Sequence, residues 1–276
     1  MRRRLICVAV TLVMAGTVLA TAACTRKPAP SVAPSPSAGP GTSASPATPT
    51  TPPAPVPSVT ASRPPFPASL KGQDLTRIPT SAKVVALTFD AGANADGVAS
   101  ILSTLKAQGI TATFFLTGDF VDDFPAASQS ITAAGHRLGN HSMTHPHLTQ
   151  LSDVQVRAQI TDAENRILAV TGNPGQPFFR FPYGDRNAHT IDLVNAEGYV
   201  AVRWTVDSLG WQGSSQHTAA WVAQRVIDAA QPGAIVLMHV GSNPVDHSTL
   251  DADALPSIIS GYRAKGYSFV TLEALL

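Results

Sequence analysis

From Lys83 onward the chain alternates short runs of β-branched and aromatic residues with longer stretches of helical pattern. The strand-like runs cover residues 84–89, 111–116, 137–140, 178–181, 200–206, 235–240 and 269–272. Helical stretches cover 97–108, 126–134, 153–170, 190–197, 219–230 and 254–265, and Gly109, Gly135, Gly172, Gly198 and Gly266 supply the stops that helices prefer. Alternation of this kind predicts an α/β fold with about seven parallel strands, because each parallel connection needs a crossover long enough for a helix. Right-handed crossovers allow such a sheet to close into a barrel or to stay open and doubly wound. The polar residues favour the barrel. Asp90, His141, Tyr183, Asp207 and His239 each fall at or just past the C-terminal end of a strand, the rim where barrel enzymes gather catalytic groups. No G-x-G-x-x-G follows the first strand, so a dinucleotide fold has no support.

Residues 1–67 follow neither pattern. Fourteen of the 23 prolines lie between Pro28 and Pro67, and no Asp or Glu precedes Asp74. Residues 1–23 read as three arginines, an uncharged apolar run and then small residues, the order of a secretory signal. Residues 24–67 are Pro, Ala, Ser and Thr with little to bury, a composition expected to stay disordered as a tether. At about 3.1 Å per residue its extended reach is on the order of 100 Å. Cys7 lies inside the apolar run and Cys24 directly after it, so the mature chain has at most one thiol and no internal disulfide. Cys24 resembles the lipidated cysteine of a bacterial lipoprotein, although Thr21 stands where Leu is usual. An uncleaved anchor over 5–23, or cleavage leaving a free thiol, are the alternatives. All three place the rest of the chain outside the membrane, either anchored to it or secreted.

Residues 68–276 suffice for one domain with its own core. Setting aside Arg2, Arg3, Arg4, Arg26, Lys27 and Arg63 leaves 13 of the 19 basic residues against 18 acids, a net charge of −5. A net-acidic domain argues against a nucleic-acid partner held by phosphate contacts.

The segment His141-Ser142-Met143-Thr144-His145-Pro146 sets two imidazoles four apart, followed by a helix-stopping proline. On one helical turn such residues share a face and can meet one metal ion. A metalloprotease would need Glu directly after the first His, and position 142 is Ser. Leu87-Thr88-Phe89-Asp90 ends the first strand with a carboxylate, and Val236-Leu237-Met238-His239 ends a later one with an imidazole. Between them comes Arg180-Phe181-Pro182-Tyr183-Gly184. Each alone fits an ordinary cap, salt bridge or core histidine. Their fall on a single rim sets them apart.

Together with Asp207-Ser208-Leu209-Gly210-Trp211, these segments resemble the five motifs of the polysaccharide deacetylases, carbohydrate esterase family 4 or the NodB-homology domain. The resemblance spans about residues 83–272. It implies an irregular, incomplete (β/α) barrel and metal-dependent hydrolysis of N-acetyl or O-acetyl groups on a glycan. By the same resemblance Asp90 is the general base, His239 the general acid, and Arg180 the residue that orients the base. His141 and His145 are metal ligands, Tyr183 offers its backbone N–H to the oxyanion, and Trp211 walls the groove. The implied cofactor is a divalent metal, with zinc the leading identity.

The residue types suit the chemistry. An acetamide is a poor electrophile and water a poor nucleophile, and a divalent ion activates both. A carboxylate can take the water proton, and a histidine titrating near neutrality can protonate the departing amine. Two positions depart from the family pattern. Ala91 stands where a metal-binding acid is usual, and Gly210 where an acid pairs with the catalytic His. Asn94 and Asp96 are candidate third ligands within chain reach, and Asp207 is the candidate stand-in for the missing acid. The expectation is an extracytoplasmic, monomeric deacetylase of a cell-wall glycan, peptidoglycan above all. The alternatives are a glycan-binding protein of the same fold with reduced turnover, and a hydrolase of cyclic amides.

Overall fold

The computed structural model describes residues 67–276. The leader, the tether up to residue 66, and both cysteines lie outside the described residues. Eight strands are present: β1 (Val84–Ala91), β2 (Thr113–Leu116), β3 (Arg137–Asn140), β4 (Phe178–Phe179), β5 (Val200–Ala201), β6 (Val206–Asp207), β7 (Ala234–His239) and β8 (Ser268–Val270). Seven α-helices accompany them: α1 (Val98–Gln108), α2 (Gly118–Asp123), α3 (Pro125–Ala133), α4 (Asp153–Thr171), α5 (Ala188–Ala196), α6 (Ala219–Asp228) and α7 (Leu250–Ala264).

The strands form one parallel sheet in the order β5-β4-β3-β2-β1-β7-β6, with β8 beside the start of β1. Its two edges, β5 and β6, are joined by residues 202–205 alone. Laid flat, seven strands would hold their edges about 29 Å apart, at roughly 4.8 Å per strand. A link of that length reaches only about 15–20 Å. The sheet must therefore curl, and the result is an irregular, incomplete barrel. Its seam is closed by a strap: Leu75 bridges Val202 in parallel and Arg77 bridges Ala234 antiparallel. The Leu75 N–H donates to the Ala201 carbonyl at 3.1 Å, and the Ile78 N–H to that of Gly233 at 2.8 Å.

The seam explains why the run at 200–206, expected as one strand, is two. Its β-branched residues favour extended backbone, but by Thr205 the N–H already donates to Ile235 on β7, at the other side of the seam, at 2.8 Å. Pairing partners decided the strand, not propensity. Helix α2 was not expected. It is short, begins with Gly and carries three acids, and it is capped by the Thr117 hydroxyl, which accepts from the Phe120 N–H at 3.0 Å. Helix α7 starts at Leu250 rather than 254, which draws Asp251 into its first turn.

Strand β1 lies inside the sheet between β2 and β7 and separates two core clusters. Val85, Leu87 and Phe89 face the helices, packing in one cluster with Ile101, Leu105 and Ile258. Ala86 faces the inside of the curl with Phe115, Phe178, Ile235 and Leu272. A strand's period of two puts Thr88 and Asp90 on that same inner face. The inner row therefore changes from apolar to polar toward the C-terminal end, where the barrel opens.

Candidate active site

Asp90 and His239 are direct cross-strand partners in the β1–β7 register. Beneath them Arg180, which follows β4, is completely buried. Its Nη1 donates to Asp90 Oδ1 at 2.7 Å and its Nη2 to the Arg203 carbonyl at 3.0 Å, and its guanidinium stacks 4.1 Å from the Phe115 ring centre. Burial by itself would raise the Asp90 pKa, but the charges of Arg180, His141 and His239 outweigh it and hold the carboxyl below its usual value. Asp90 is thus ionised at neutral pH, as a base must be.

The two motif histidines do not share a helical turn, contrary to the sequence expectation. They sit in a loop after β3 in which Ser142 and His145 adopt left-handed φ of 70° and 57°. Such angles are costly for residues other than glycine, and polar contacts hold them in place. Asn140 Oδ1 accepts from the Ser142 N–H, and Gln159 Oε1 from the N–H groups of Met143 and Thr144, each at 2.9 Å. The loop brings the two imidazoles to 4.8 Å between ring centres. His141 Nδ1 lies 2.8 Å from the Arg180 carbonyl, so it must donate, and a neutral ring keeps its lone pair on Nε2. Burial pushes both imidazoles toward the neutral form, His145 to a pKa of about 4.

His239 is partly exposed, and its Nδ1 lies 3.5 Å from Oδ2 of Asp251, which is buried. The same oxygen accepts from the His239 backbone N–H at 2.8 Å. Burial would lower the His239 pKa, yet the contact and charge of Asp251, with Asp90 and Asp207 behind it, leave it raised. The acid beside His239 is therefore Asp251, not Asp207. The Asp207 carboxylate accepts from the Leu209 N–H at 2.9 Å and from Trp211 Nε1 at 3.4 Å, so it braces the turn that carries Trp211.

These groups open into a cavity of about 620 Å³. Asp90, His141, His145 and His239 line its polar end. Tyr183, Trp204, Asp207, Trp211 and Leu237 line the remainder. Of the site residues expected from sequence, Asp90, His141, His145, Tyr183, Asp207, Trp211 and His239 reach this cavity, whereas Arg180 and the candidate third ligands Asn94 and Asp96 do not. Tyr183 is held at a left-handed φ of 59°, its ring stacked on His147 at 4.2 Å and edge-on to His145 at 4.5 Å. Sequence reasoning missed Asp119, a further carboxylate on the wall contributed by α2, and Asp251 behind His239. No local motif marks either residue.

Two neutral imidazoles suit a borderline divalent ion. His141 Nε2 also stands 3.3 Å from Asp90 Oδ2, a lone pair facing a carboxylate, and that edge accommodates positive charge. The expected third ligands do not join them. Asn94 Oδ1 accepts from the Ser242 N–H at 2.8 Å, and Asp96 Oδ2 from the Ser242 hydroxyl at 2.6 Å, so both side chains pin the loop after β7. Ala91 is buried in the apolar core. Among the described residues no three His, Cys, Asp or Glu side chains form a metal-holding group. The protein thus offers a two-point hold, His141 and His145.

Residues 77–202 match the family described as polysaccharide deacetylase. A peptidoglycan-N-acetylglucosamine deacetylase of Bacillus cereus is 34% identical over 191 residues, which cover 69% of this chain and 67% of that protein. The structure of Bacillus subtilis PdaA, a family 4 carbohydrate esterase, superposes with a TM-score of 0.68 at 30% identity, covering 75% of this chain and 87% of that one. Similar too is the structure of Bacillus anthracis BA3943, a CE4 family pseudoenzyme, with a TM-score of 0.66 at 28% identity over 72% of this chain and 67% of that one.

Proposed function

This chain belongs to the polysaccharide deacetylase family, and from that premise we propose that it hydrolyses N-acetyl groups of peptidoglycan on the outer side of the cytoplasmic membrane. That it is a hydrolase of carbon–nitrogen bonds and a glycan deacetylase follows from the family itself. Support for peptidoglycan comes from relatives named for that substrate. Support for the location comes from the secretory pattern of residues 1–23 and from the tether and Cys24 that follow.

The observation that carries the mechanism is the adjacency of Asp90 and His239, one held ionised and the other biased toward its protonated form. A water attacks the acetyl carbon while Asp90 accepts its proton. His239 then gives a proton to the nitrogen as the C–N bond breaks, and acetate and a free amine leave. Arg180 keeps Asp90 aligned and charged throughout. His141 and His145 would hold a divalent ion, which when bound would supply carbonyl polarisation and water acidification. Trp211 and Tyr183, both exposed on the cavity wall, offer rings for sugar faces.

The test is acetate release, followed by mass spectrometry, from peptidoglycan fragments, chitooligosaccharides and acetylated xylan. Release from peptidoglycan ahead of the others is expected. One observation favours a second reading, a glycan-binding protein with little turnover: the described residues assemble no three-donor metal group. Binding of all three glycans without acetate release from any would establish that reading.

A further inference from the structure

We infer that Asp251 is the positioning residue for His239, and that residue 210 is glycine because the Asp251 carboxylate occupies the space its side chain would fill. The inference rests on the reading of His239 as the acid of this site.

Asp251 is almost completely buried, at 3% exposure, in the first turn of α7. A carboxylate in that position gains from the partial positive charge of the helix N-terminus. Its Oδ2 meets His239 twice, at the backbone N–H (2.8 Å) and at Nδ1 (3.5 Å). The backbone contact fixes the carboxylate to the end of β7, and the second fixes which ring edge faces it. Neither His239 Nδ1 nor Asp251 Oδ1 has a hydrogen-bond partner, and the 3.5 Å approach of Oδ2 to Nδ1 is an ion-pair contact. A buried, unpaired carboxylate oxygen is costly unless a positive charge compensates it. The imidazolium of His239 is the compensating charge within contact.

That second oxygen, Oδ1, points at Gly210. A Cβ placed on Gly210 would lie 2.4 Å from Asp251 Oδ1 and 2.6 Å from its Cγ, distances at which one group must move. The φ of Gly210 is not of the left-handed kind that itself demands glycine. Crowding by Asp251 is therefore the reason for glycine at this position. A carboxylate growing from residue 210 and one growing from residue 251 would occupy the same volume beside His239. They are mutually exclusive ways to hold one imidazole, and this chain uses the one from α7.

Four other groups act on His239, and a fifth, Arg180, is engaged elsewhere. Asp90 on β1 and Asp207 on β6 reinforce its protonation, while His141 and His145 in the β3 loop oppose it when charged and Arg180 is paired to Asp90. Asp251 exceeds these because it alone contacts the ring nitrogen.

The experiment is an NMR titration of the His239 imidazole in the full chain, comparing wild type, Asp251→Asn, Asp251→Ser, and Asp251→Ser combined with Gly210→Asp. Acetate release from chitohexaose is measured in parallel. Asp251→Asn keeps the shape and should lower the His239 proton affinity by about tenfold or more, one pH unit. It should lower kcat by on the order of 100-fold with KM nearly unchanged. Moving the acid to residue 210 should raise both quantities again relative to Asp251→Ser. Independently of catalysis, Gly210→Ala should lower the thermal midpoint, and Asp251→Ala added to it should restore part of the loss. An unchanged His239 titration in Asp251→Asn would overturn the positioning role. A Gly210→Ala protein as stable as wild type would overturn the steric account. If wild type releases no acetate from chitohexaose, the titration still decides the pairing, and the failure falls on His239 as acid.

Discussion

Arg180 lies wholly buried under Asp90, with its Nη1 2.7 Å from Asp90 Oδ1. This pair fixes the orientation of the Asp90 carboxylate. It also leaves only the other carboxylate oxygen, Oδ2, for His141 and the cavity.

Asp90→Asn should abolish acetate release, because an amide cannot accept the water proton. A loss of at least about 100-fold in kcat is expected. Binding of a chitooligosaccharide, measured by calorimetry, should persist. Turnover near the wild-type rate would remove Asp90 from the base role.

Arg180→Met should destabilise the fold by about 3–5 kcal/mol, since it leaves Asp90 ionised and unpaired in a buried position. Denaturant unfolding measures this loss. Asp90→Asn combined with Arg180→Met should unfold less easily than the sum of the single changes implies, because the pair acts as a unit.

If His141 and His145 are its two protein ligands, the site should hold zinc loosely. Dialysis against a chelator should remove the ion and the activity together, and added zinc should restore both. His145→Ala should lower zinc content, read by elemental analysis after equal dialysis. Activity that survives complete removal of the ion would exclude a metal role.

The His239 pKa is raised in the folded protein, so its pairing stabilises the fold fully at pH below about 6.5, the unfolded value, and is lost as pH rises through the folded value. The gap in thermal midpoint between wild type and Asp251→Asn should therefore be widest below pH 6.5 and should narrow above the folded value. The alkaline limb of kcat/KM should lie above 6.5 in wild type and move down in Asp251→Asn.

Cys24→Ala should release the chain into the medium if the thiol is lipidated. Fractionation of cells carrying each form reads this directly. A variant that stays with the membrane would point to an uncleaved anchor over residues 5–23.

The alternation of strand-like and helical runs determined the α/β class and the parallel sheet, and strand ends marked by Asp90, His141, Asp207 and His239 determined the rim. These features are local in the chain: periodicity names the element, and a polar residue closing an apolar run names its end. What the tertiary structure decided is nonlocal. The split of 200–206 followed from the geometry of curling, which puts adjacent segments on opposite edges. The loop carrying His141 and His145 takes left-handed angles held by hydrogen bonds to Asn140, Gln159 and Ser142, which a strand-and-helix pattern does not show. The exchange at Gly210 is the clearest case. In sequence it is a missing acid, and 41 positions later Asp251 is an unremarked helix residue. Only the packing of α7 against the end of β7 makes them one site, because a carboxylate's charge acts through space and takes no account of the strand or helix that supplies it.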